Sequence, residues 1–496
     1  MRRFSFVFFC SAFSLLSLLS SCLQTPASPA SFAPTVTYHP FVTLSPTLFG
    51  PPWAPLPSPS LFRPTVQSAS SSPAVGARTH YRMQVLLDYV NRSLVVDEYI
   101  TYVNTTGVPL ENLVLAVEPN RQEGVFKLET VAAPSVSGYA LNGSRLEVRL
   151  RPALPAGESL ELYLRFTLNL PPADIFNLFG YRSGQMNLVD WYPFIVPYRV
   201  GWVLHEKGEV GEHLVYETAD FDVSILPTEA QTSVLIAAPV APDRNVYRLQ
   251  GARTFAFSVS DRWKMASRTV GATTLTSYFL PADEVQGQRV LDEAALALET
   301  FAHLFGPYPY PALTIVQAEF ADGMEYDGLF YLGRRFYLED DGTKLNYLIA
   351  LTVHETAHQW WRGLVGNDSA LEPWLDEALA TYSEYLFYEQ NYPGVAEAWW
   401  ALRVENFAPQ GFVDARIYDM DDKQMYTNAV YLRGALFLRD LRARLGDEAF
   451  FAFLREYAAQ MSGKIASDED FFRILASHTQ VDLSDLLQKY FRPGHP

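Results

Sequence analysis

The stretch "VHETAHQWWRGLV", residues 353–365, carries two histidines four positions apart, with a glutamate directly after the first histidine. On a helix, positions i and i+4 lie on one face, so the imidazoles of His354 and His358 can bind one metal ion. Glu355 then lies beside that ion, where its carboxylate can take a proton from an attacking water. The apolar run "YLIALTV" predicts a buried helix over about residues 344–362. Because unpartnered polar side chains are costly in such a helix, a bound metal explains the motif best.

A third ligand distinguishes the classes of zinc site. A metzincin would need glycine and histidine at positions 361 and 364, which this chain lacks. The segment "EPWLDEALATYSEYLF" predicts a second helix that carries Glu377, with eighteen residues between His358 and Glu377. Two imidazoles and one carboxylate leave a fourth position open, which is typical of catalytic zinc, so we expect one zinc ion per chain held by His354, His358 and Glu377. Thr381 and Glu384, one and two turns further on, can orient these ligands.

The helix "HETAH", eighteen further residues and the glutamate of "WLDEALATYSEY" together resemble the aminopeptidase N family of gluzincin metallopeptidases. Thermolysin-like endopeptidases share the first motif but differ in the spacing and the context of the third ligand. The resemblance implies a multidomain α+β protein: an N-terminal all-β, antiparallel domain followed by a thermolysin-like, mostly helical zinc catalytic domain. Larger members of the family continue with a long helical C-terminal domain, which we expect this chain to lack.

The segment "GMEYDG", residues 323–328, resembles the exopeptidase motif G-x-M-E-N of the same family. The glutamate of that motif holds the free α-amine of the substrate by charge pairing. The resemblance therefore implies that Glu325 binds the substrate amine, with Met324 and Gly323 beside it in the substrate-binding segment. The match departs from the motif in two ways: the glycine directly precedes the methionine, and Tyr326 stands where the family has asparagine.

Two further segments resemble parts of the family's site. In "MYTNAVYLRGALFLRDLRARLG", residues 425–446, the resemblance implies that Tyr431 donates its hydroxyl to the oxyanion of the tetrahedral intermediate, with Tyr426 as an auxiliary substrate-binding residue. In "SGQMNLVDWYPFIVPY", residues 183–198, it implies that Gln185 contributes to the amine pocket from the β-domain.

The hydrophobic pattern divides the chain into two folded parts. The segment "SLELYLRFTLNL" alternates apolar and polar residues, as a half-buried antiparallel strand does, and "RLEVRLR", "DFDVSIL" and "TFAFSVSDRW" repeat this pattern. We therefore expect an antiparallel β-domain over residues 79–270. From "QRVLDEAALALETFAHLF" onward the period becomes helical, which predicts the catalytic domain over residues 271–496.

The N-terminal residues "MRRFSFVFFCSAFSLLSLLSSC" combine two arginines, an apolar stretch and small residues, as a secretory signal peptide does. The ending "LSSC" resembles the bacterial lipobox, so we expect a signal peptide over residues 1–21 and a lipid on Cys22. An uncleaved anchor or an ordinary secretory signal is the alternative. Residues 22–78 are rich in Pro and Ser and predict a tether to the membrane. The net charge of −17 argues against a nucleic-acid partner.

These features together predict a zinc-dependent aminopeptidase that removes N-terminal residues from peptides with a free N-terminus. We expect it to be lipid-anchored on the outer, extracytoplasmic face of a membrane in a bacterial cell envelope. One alternative is a zinc endopeptidase, or another amide or epoxide hydrolase, in which the "GMEY" segment is structural. The other is a surface binding protein that keeps the fold without catalysis. Blocking the substrate amine distinguishes the first alternative, and the zinc content of the purified protein distinguishes the second.

Overall fold

The structure, a computed structural model, describes residues 78–228 and 234–494. The predicted signal peptide, the lipid site at Cys22 and nearly all of the predicted tether lie outside these residues, so they stay predictions. In the described part of the chain, no helix combines the length and the apolar character that crossing a bilayer requires.

The alternating hydrophobic pattern of the N-terminal part produces strands, as the sequence predicts. The strands are β1 (Thr79–Asp88), β2 (Ser93–Val103), β3 (Leu110–Ala116), β4 (Phe126–Ala132), β5 (Val136–Asn142), β6 (Arg145–Leu154), β7 (Ser159–Asn169), β8 (Gly180–Arg182), β9 (Gln185–Leu188), β10 (Phe194–Ile195), β11 (Ala219–Pro227), β12 (Leu235–Ala237), β13 (Val246–Ala252) and β14 (Phe257–Ser260). In β7 the side chains alternate between the core and the opposite face along the strand. We call residues 79–260 the β-domain.

Within the described residues, the strands of the β-domain form three sheets. Their orders are β13-β11-β1-β2-β7-β4, β10-β3-β6-β5 and β12-β14-β9-β8. Inward side chains of all three sheets, such as Val96, Leu146 and Phe257, belong to one apolar core. One pair departs from the predicted antiparallel pattern, because β1 and β11 run parallel. The chain between β1 and β11 contains all the strands from β2 to β10, and parallel neighbours need such a long crossover connection.

The second part of the chain, the helical domain, combines one sheet with helices. Its elements are β15 (Lys264–Val270), β16 (Thr273–Phe279), α1 (Glu284–Phe305), β17 (Ala312–Ala318), β18 (Gly323–Tyr326), β19 (Leu329–Gly333), α2 (Arg334–Leu338), α3 (Tyr347–Ala357), α4 (Trp374–Asn391), α5 (Pro393–Arg403), α6 (Lys423–Thr427), α7 (Arg433–Leu445), α8 (Asp447–Gln460), α9 (Asp468–His478) and α10 (Ser484–Tyr490). The sheet order is β15-β16-β17-β19-β18, so β18 is an edge strand. Because β15 pairs with β16, this sheet begins before residue 271.

The helix that carries the opening motif is shorter than predicted. The sequence predicts a helix over about 344–362, but α3 ends at Ala357. The amides of residues 363–365 donate to carbonyls five positions earlier, which folds the following segment into a compact turn. Arg362 in this turn has a φ of 120°, in the left-handed region. The carbonyls of this turn accept hydrogen bonds from Arg253 of the β-domain, a long-range contact that a helical pattern does not reveal.

Helix α3 lies at the centre of the helical domain. Every side chain from Leu348 to Ala357 is buried, as the apolar run before the motif predicts. Helices α1 and α4 and the strands β18 and β19 all contact α3. The polar side chains of the motif therefore face α4 and the edge strand β18 rather than bulk water.

Candidate metal centre

Three side chains from α3 and α4 converge at one point. The Nε2 atoms of His354 and His358 are 3.0 Å apart. Oε2 of Glu377 lies 3.3 Å from the first of these atoms and 3.4 Å from the second. All three side chains are buried, and among the described residues they are the only His, Cys, Asp and Glu side chains that form a group compact enough for a metal ion. The predicted ligand set is thus assembled in space.

The geometry of this group fits a zinc ion. Ligands at about 2.0–2.1 Å from a tetrahedral ion lie roughly 3.3 Å from one another, and the three ligand atoms here are separated by 3.0–3.4 Å. Oε2 of Glu377 is buried and accepts no hydrogen bond from the described residues. A buried carboxylate oxygen without a donor is costly unless a cation satisfies it. Residues His354, His358 and Glu377 would therefore hold the metal.

The histidines are oriented by hydrogen bonds to their other ring nitrogens. Nδ1 of His354 lies 3.0 Å from Oε1 of Glu384, and Nδ1 of His358 lies 2.9 Å from the carbonyl oxygen of Trp361. Both acceptors require a proton on Nδ1, which leaves each Nε2 free to bind metal. Glu384 is in turn held by Arg403, whose Nη2 is 2.6 Å from Oε1. The geometry matches the predicted orienting role of Glu384.

Thr381 does not join this arrangement. Its side chain is completely buried on α4, but its hydroxyl has no hydrogen-bond partner in the described part of the chain. Of the two residues predicted to orient the metal ligands, Glu384 therefore contacts a ligand, and Thr381 makes no such hydrogen bond in the described residues.

The charges around the ligands favour a cation between them. Burial alone would lower the pKa of His354, but the carboxylates of Glu377 and Glu384 raise it to about 9. Burial would raise the pKa of Glu377, yet His358 and His354 hold that pKa well below its usual range. Both shifts have the same origin: a positive charge is stabilised where the two imidazoles meet the carboxylates.

Glu355 lies on α3 between the two histidines and is also buried. Burial and the nearby charge of Glu325 raise its pKa well above the ordinary value. Its Oε2 accepts no hydrogen bond from the described residues, so the carboxylate is free to accept a proton from a substrate or a water. Gly323 of β18 lies directly against this carboxylate, and a Cβ at that position would collide with it. The edge strand and the predicted base are therefore in contact.

Tyr431 contacts two of the three metal-binding side chains. Its hydroxyl donates to Oε1 of Glu377 at 2.6 Å, and its ring stacks on His354 with centroids 6.1 Å apart. The segment Asn428–Leu432 is a π-helix turn between α6 and α7. Such turns are common at functional sites, because the extra residue re-aims the side chains. Tyr426 is buried, and its ring meets Tyr431 edge-on with centroids 5.9 Å apart.

The other half of the site is built around Glu325 on β18. Because side chains alternate along a strand, Glu325 lies on the same face of β18 as Gly323, which contacts Glu355. Glu325 is buried, and its Oε1 accepts no hydrogen bond with good geometry in the described chain. Met324 points to the other face, where it packs against a small apolar cluster that includes Tyr326. The predicted amine-binding carboxylate thus lies beside the predicted base.

Residues 290–490 match the family profile of the peptidase family M1 domain. This range contains the three metal-binding side chains, the base and both tyrosines described above. Residues 290–490 are a peptidase family M1 domain, the domain of the aminopeptidase N family.

Several M1 relatives align with this chain over less than half of its length. Aminopeptidase M1-B of Oryza sativa subsp. japonica is 28% identical over 244 residues, which are 46% of this chain and 28% of that protein. Aminopeptidase N of Lactobacillus delbrueckii subsp. lactis is 30% identical over 226 residues, which are 42% of this chain and 27% of that protein. The chain therefore spans less than a third of the length of these curated relatives.

A solved M1 structure shares the fold over most of the chain. The M1 zinc metallopeptidase from Deinococcus radiodurans is 18% identical to this chain, with a TM-score of 0.61. The likeness covers 85% of this chain and 94% of that one. The M1 fold, a β-domain followed by a helical domain, is thus confirmed as predicted.

The site also contains charged residues that the sequence motifs do not reveal. Arg362, in the turn after α3, forms ion pairs with Glu325 and with Glu212, a residue of the long loop between β10 and β11. Asp190 accepts hydrogen bonds from Tyr216 and Tyr326 close to this cluster. The sequence offers one signal for Arg362: it is a lone charged residue in the otherwise apolar stretch "WWRGLV". Nothing local marks Glu212 or Asp190.

Gln185 is not brought to the site. It lies on β9, pairs across the sheet with Ser260, and donates from its amide to Asn187 at 2.7 Å. No hydrogen bond or ion pair in the described part of the chain joins it to Glu325 or to the metal ligands. Asp190, which follows β9 in the same segment, does reach the region of Glu325, because it accepts a hydrogen bond from Tyr326.

Proposed function

We propose that this chain is a zinc-dependent aminopeptidase that removes N-terminal residues from peptides. The observation that carries the proposal is the contact between β18 and α3. Gly323 lies against the carboxylate of Glu355, and Glu325 follows two positions later on the same face of the strand. An anchor for an ammonium group and a base for hydrolysis are therefore held at a fixed separation beside the metal ligands.

Each residue of the site has a distinct task in this mechanism. When bound, zinc supplies a Lewis acid that polarises the substrate carbonyl and lowers the pKa of a water. Glu355 accepts a proton from the attacking water and later gives it to the leaving amine. Tyr431 donates its hydroxyl to the oxyanion of the tetrahedral intermediate. Glu325 pairs with the α-ammonium, which places the first peptide bond at Glu355.

The names of the relatives agree with this proposal. The relatives from rice and Lactobacillus are named aminopeptidases. The structure of the Deinococcus radiodurans enzyme has been solved as a mutant bound to a Tyr-Ser-Ala substrate. Because this chain spans only part of the curated relatives, its own activity and substrates are proposals that rest on its site geometry.

We also propose that the chain is lipid-anchored through Cys22 on the extracytoplasmic face of a bacterial membrane. This proposal rests on the lipobox-like "LSSC" and the Pro/Ser-rich segment after it. Cys22→Ser is expected to move the protein from the detergent-extracted membrane fraction to the aqueous fraction. Equal membrane retention of both forms would contradict the lipid anchor.

The activity is tested with a leucine or alanine chromogenic amide, compared in its free and its N-acetylated form. We expect the zinc-loaded protein to cleave the free amine and to leave the acetylated substrate intact, because acetylation removes the charge that Glu325 binds. Equal cleavage of both forms would point to an endopeptidase-like enzyme. Cleavage of neither form by a zinc-loaded protein would contradict the proposed function.

A further inference from the structure

One guanidinium lies between two acidic side chains in the proposed amine subsite. Nε of Arg362 is 3.2 Å from Oε1 of Glu325, and its Nη2 is 2.7 Å from Oε2 of Glu212. Nη1 of the same arginine donates to the backbone carbonyl of Glu325 at 2.9 Å. Arg362 therefore holds both the side chain and the strand of Glu325, and it connects them to the loop of the β-domain that carries Glu212.

The backbone of Arg362 is held in an unfavourable conformation by the β-domain. Its φ of 120° is rare for a residue with a side chain, and such strain persists only where surrounding contacts impose it. Arg253, which is buried, donates to the carbonyl oxygens of Arg362 and Gly363 at 2.8 and 3.0 Å. It also donates to the carbonyl of Tyr216. The β-domain thus fixes the direction in which Arg362 points.

Both acids of this cluster keep atoms that an incoming ammonium group can contact. Burial raises the pKa of Glu212 to about 8, although the charge of Arg362 opposes that shift. The neighbouring Asp190 is satisfied by the hydroxyls of Tyr216 and Tyr326, and burial raises its pKa. Oε1 of Glu325 lacks a well-aligned donor, and the side chain of Glu212 is 26% exposed, so both acids can meet an incoming group.

We propose that Arg362 is a positioning residue that holds Glu325 and Glu212 in place for the substrate ammonium. Its guanidinium links the two acids, so the α-ammonium meets Glu325 at a fixed position beside Glu212. This inference rests on the proposed aminopeptidase function, and it adds a requirement that the metal ligands alone do not impose: Glu212 and Arg362 act as a pair.

The test is a double-mutant cycle on the zinc-loaded, full-length protein, with kcat and KM measured on the free leucine amide. Glu212→Gln removes one of the two carboxylates that Arg362 links, so KM should rise about tenfold, the effect of losing one charge-assisted hydrogen bond. Arg362→Met removes the guanidinium from both acids, so KM should rise by a similar factor while kcat changes little. Because the two residues act as a pair, the double variant Glu212→Gln/Arg362→Met should have a KM close to that of either single variant, whereas two independent roles would multiply the two effects.

Controls separate this inference from the proposed function. Arg165→Met removes another arginine that bridges two acids, Asp97 and Glu129, far from the site, and it should leave KM unchanged. Arg362→Lys keeps the charge without the two-armed geometry, so KM should rise while zinc content stays at one per chain. If the methionine variants do not fold, Glu212→Gln and Arg362→Lys decide the matter.

Two results would overturn the inference: a KM for Glu212→Gln equal to that of the wild type, or a double variant whose rise in KM is the product of the two single effects. A zinc-loaded wild-type protein without activity on free amines would instead contradict the proposed function.

Discussion

The metal-binding half of the site and the proposed amine-binding half are assembled in different ways. The metal-binding half comes from two neighbouring helices, with His354 and His358 at the end of α3 and Glu377 and Glu384 on α4. The amine-binding half combines Glu325 of an edge strand with charged residues of two distant segments. The first half is fixed by helical periodicity within a short stretch of chain, and the second half by contacts between domains.

This difference predicts how the two halves respond to substitution. Changes in the metal-binding half should affect zinc affinity and the chemical step, because its groups contact the metal or the reacting atoms. Changes in the amine-binding half should affect KM and the preference for a free amine, while zinc stays bound. The substitutions below test that separation.

The largest effect is expected for Glu355→Gln, which removes the base but keeps the shape of the side chain. We expect kcat to fall about 10³-fold, within the range measured for general bases, while zinc remains bound because Glu355 is not a ligand. The measurement is kcat on the free leucine amide together with the zinc content. Glu339→Gln, at an exposed position on the same domain, is the matched control and should keep full activity. Retention of most activity by Glu355→Gln would remove the proposed mechanism.

A smaller effect is expected for Tyr431→Phe. Loss of one donor to the oxyanion should lower kcat about 10²-fold with little change in KM, because the hydroxyl acts mainly on the transition state. The matched control is Tyr385→Phe, since that hydroxyl contacts Glu389 and Glu397 away from the site. A rise in KM at constant kcat would show that Tyr431 binds the substrate rather than the transition state.

Glu384→Gln tests the hydrogen bond that orients the metal-binding His354. Its carboxylate accepts from Nδ1 of His354, so the variant should bind zinc roughly 10 to 100 times more weakly, as is common for such supporting partners. Zinc affinity is measured by competition with a chelator, and kcat at saturating zinc should change much less. Glu397→Gln on the exposed side of α5 is the control. Unchanged zinc affinity in Glu384→Gln would show that His354 needs no carboxylate to stay in place.

Gly323→Ala tests the contact that joins the two halves. A methyl group at this position would collide with the carboxylate of Glu355, so we expect kcat/KM to fall about tenfold as the base is displaced. Gly201→Ala is the matched control, because a Cβ at that glycine meets no atom within 4 Å. Wild-type kinetics in Gly323→Ala would mean that the edge strand and the base do not depend on each other.

The same contrast explains what the sequence could predict. The spacing of His354, His358 and Glu377 predicts the metal group correctly, because helical period and a short loop bring those residues together. The alternating pattern likewise predicts the β-domain. The resemblance to a known motif led to Glu325, since nothing in the periodicity of "GMEY" marks a functional carboxylate.

The errors lie where distant contacts decide the structure. The last turn of the predicted helix over 344–362 is replaced by a compact turn, because Arg253 of the β-domain binds its carbonyls. Tyr431 lies in a π-helix turn, which the hydrophobic period does not reveal. The ion pair of Glu212 with Arg362 was missed, since it joins residues about 150 positions apart in the sequence.

The central claim is that His354, His358 and Glu377 hold one zinc ion, and metal analysis of the purified protein tests it most directly. The measurement compares the wild type with His354→Ala after both are dialysed against the same zinc buffer, with circular dichroism to confirm that the variant is folded. We predict one zinc per chain in the wild type and its loss in the folded variant. A wild type without zinc, or a folded variant with its zinc intact, would contradict the account.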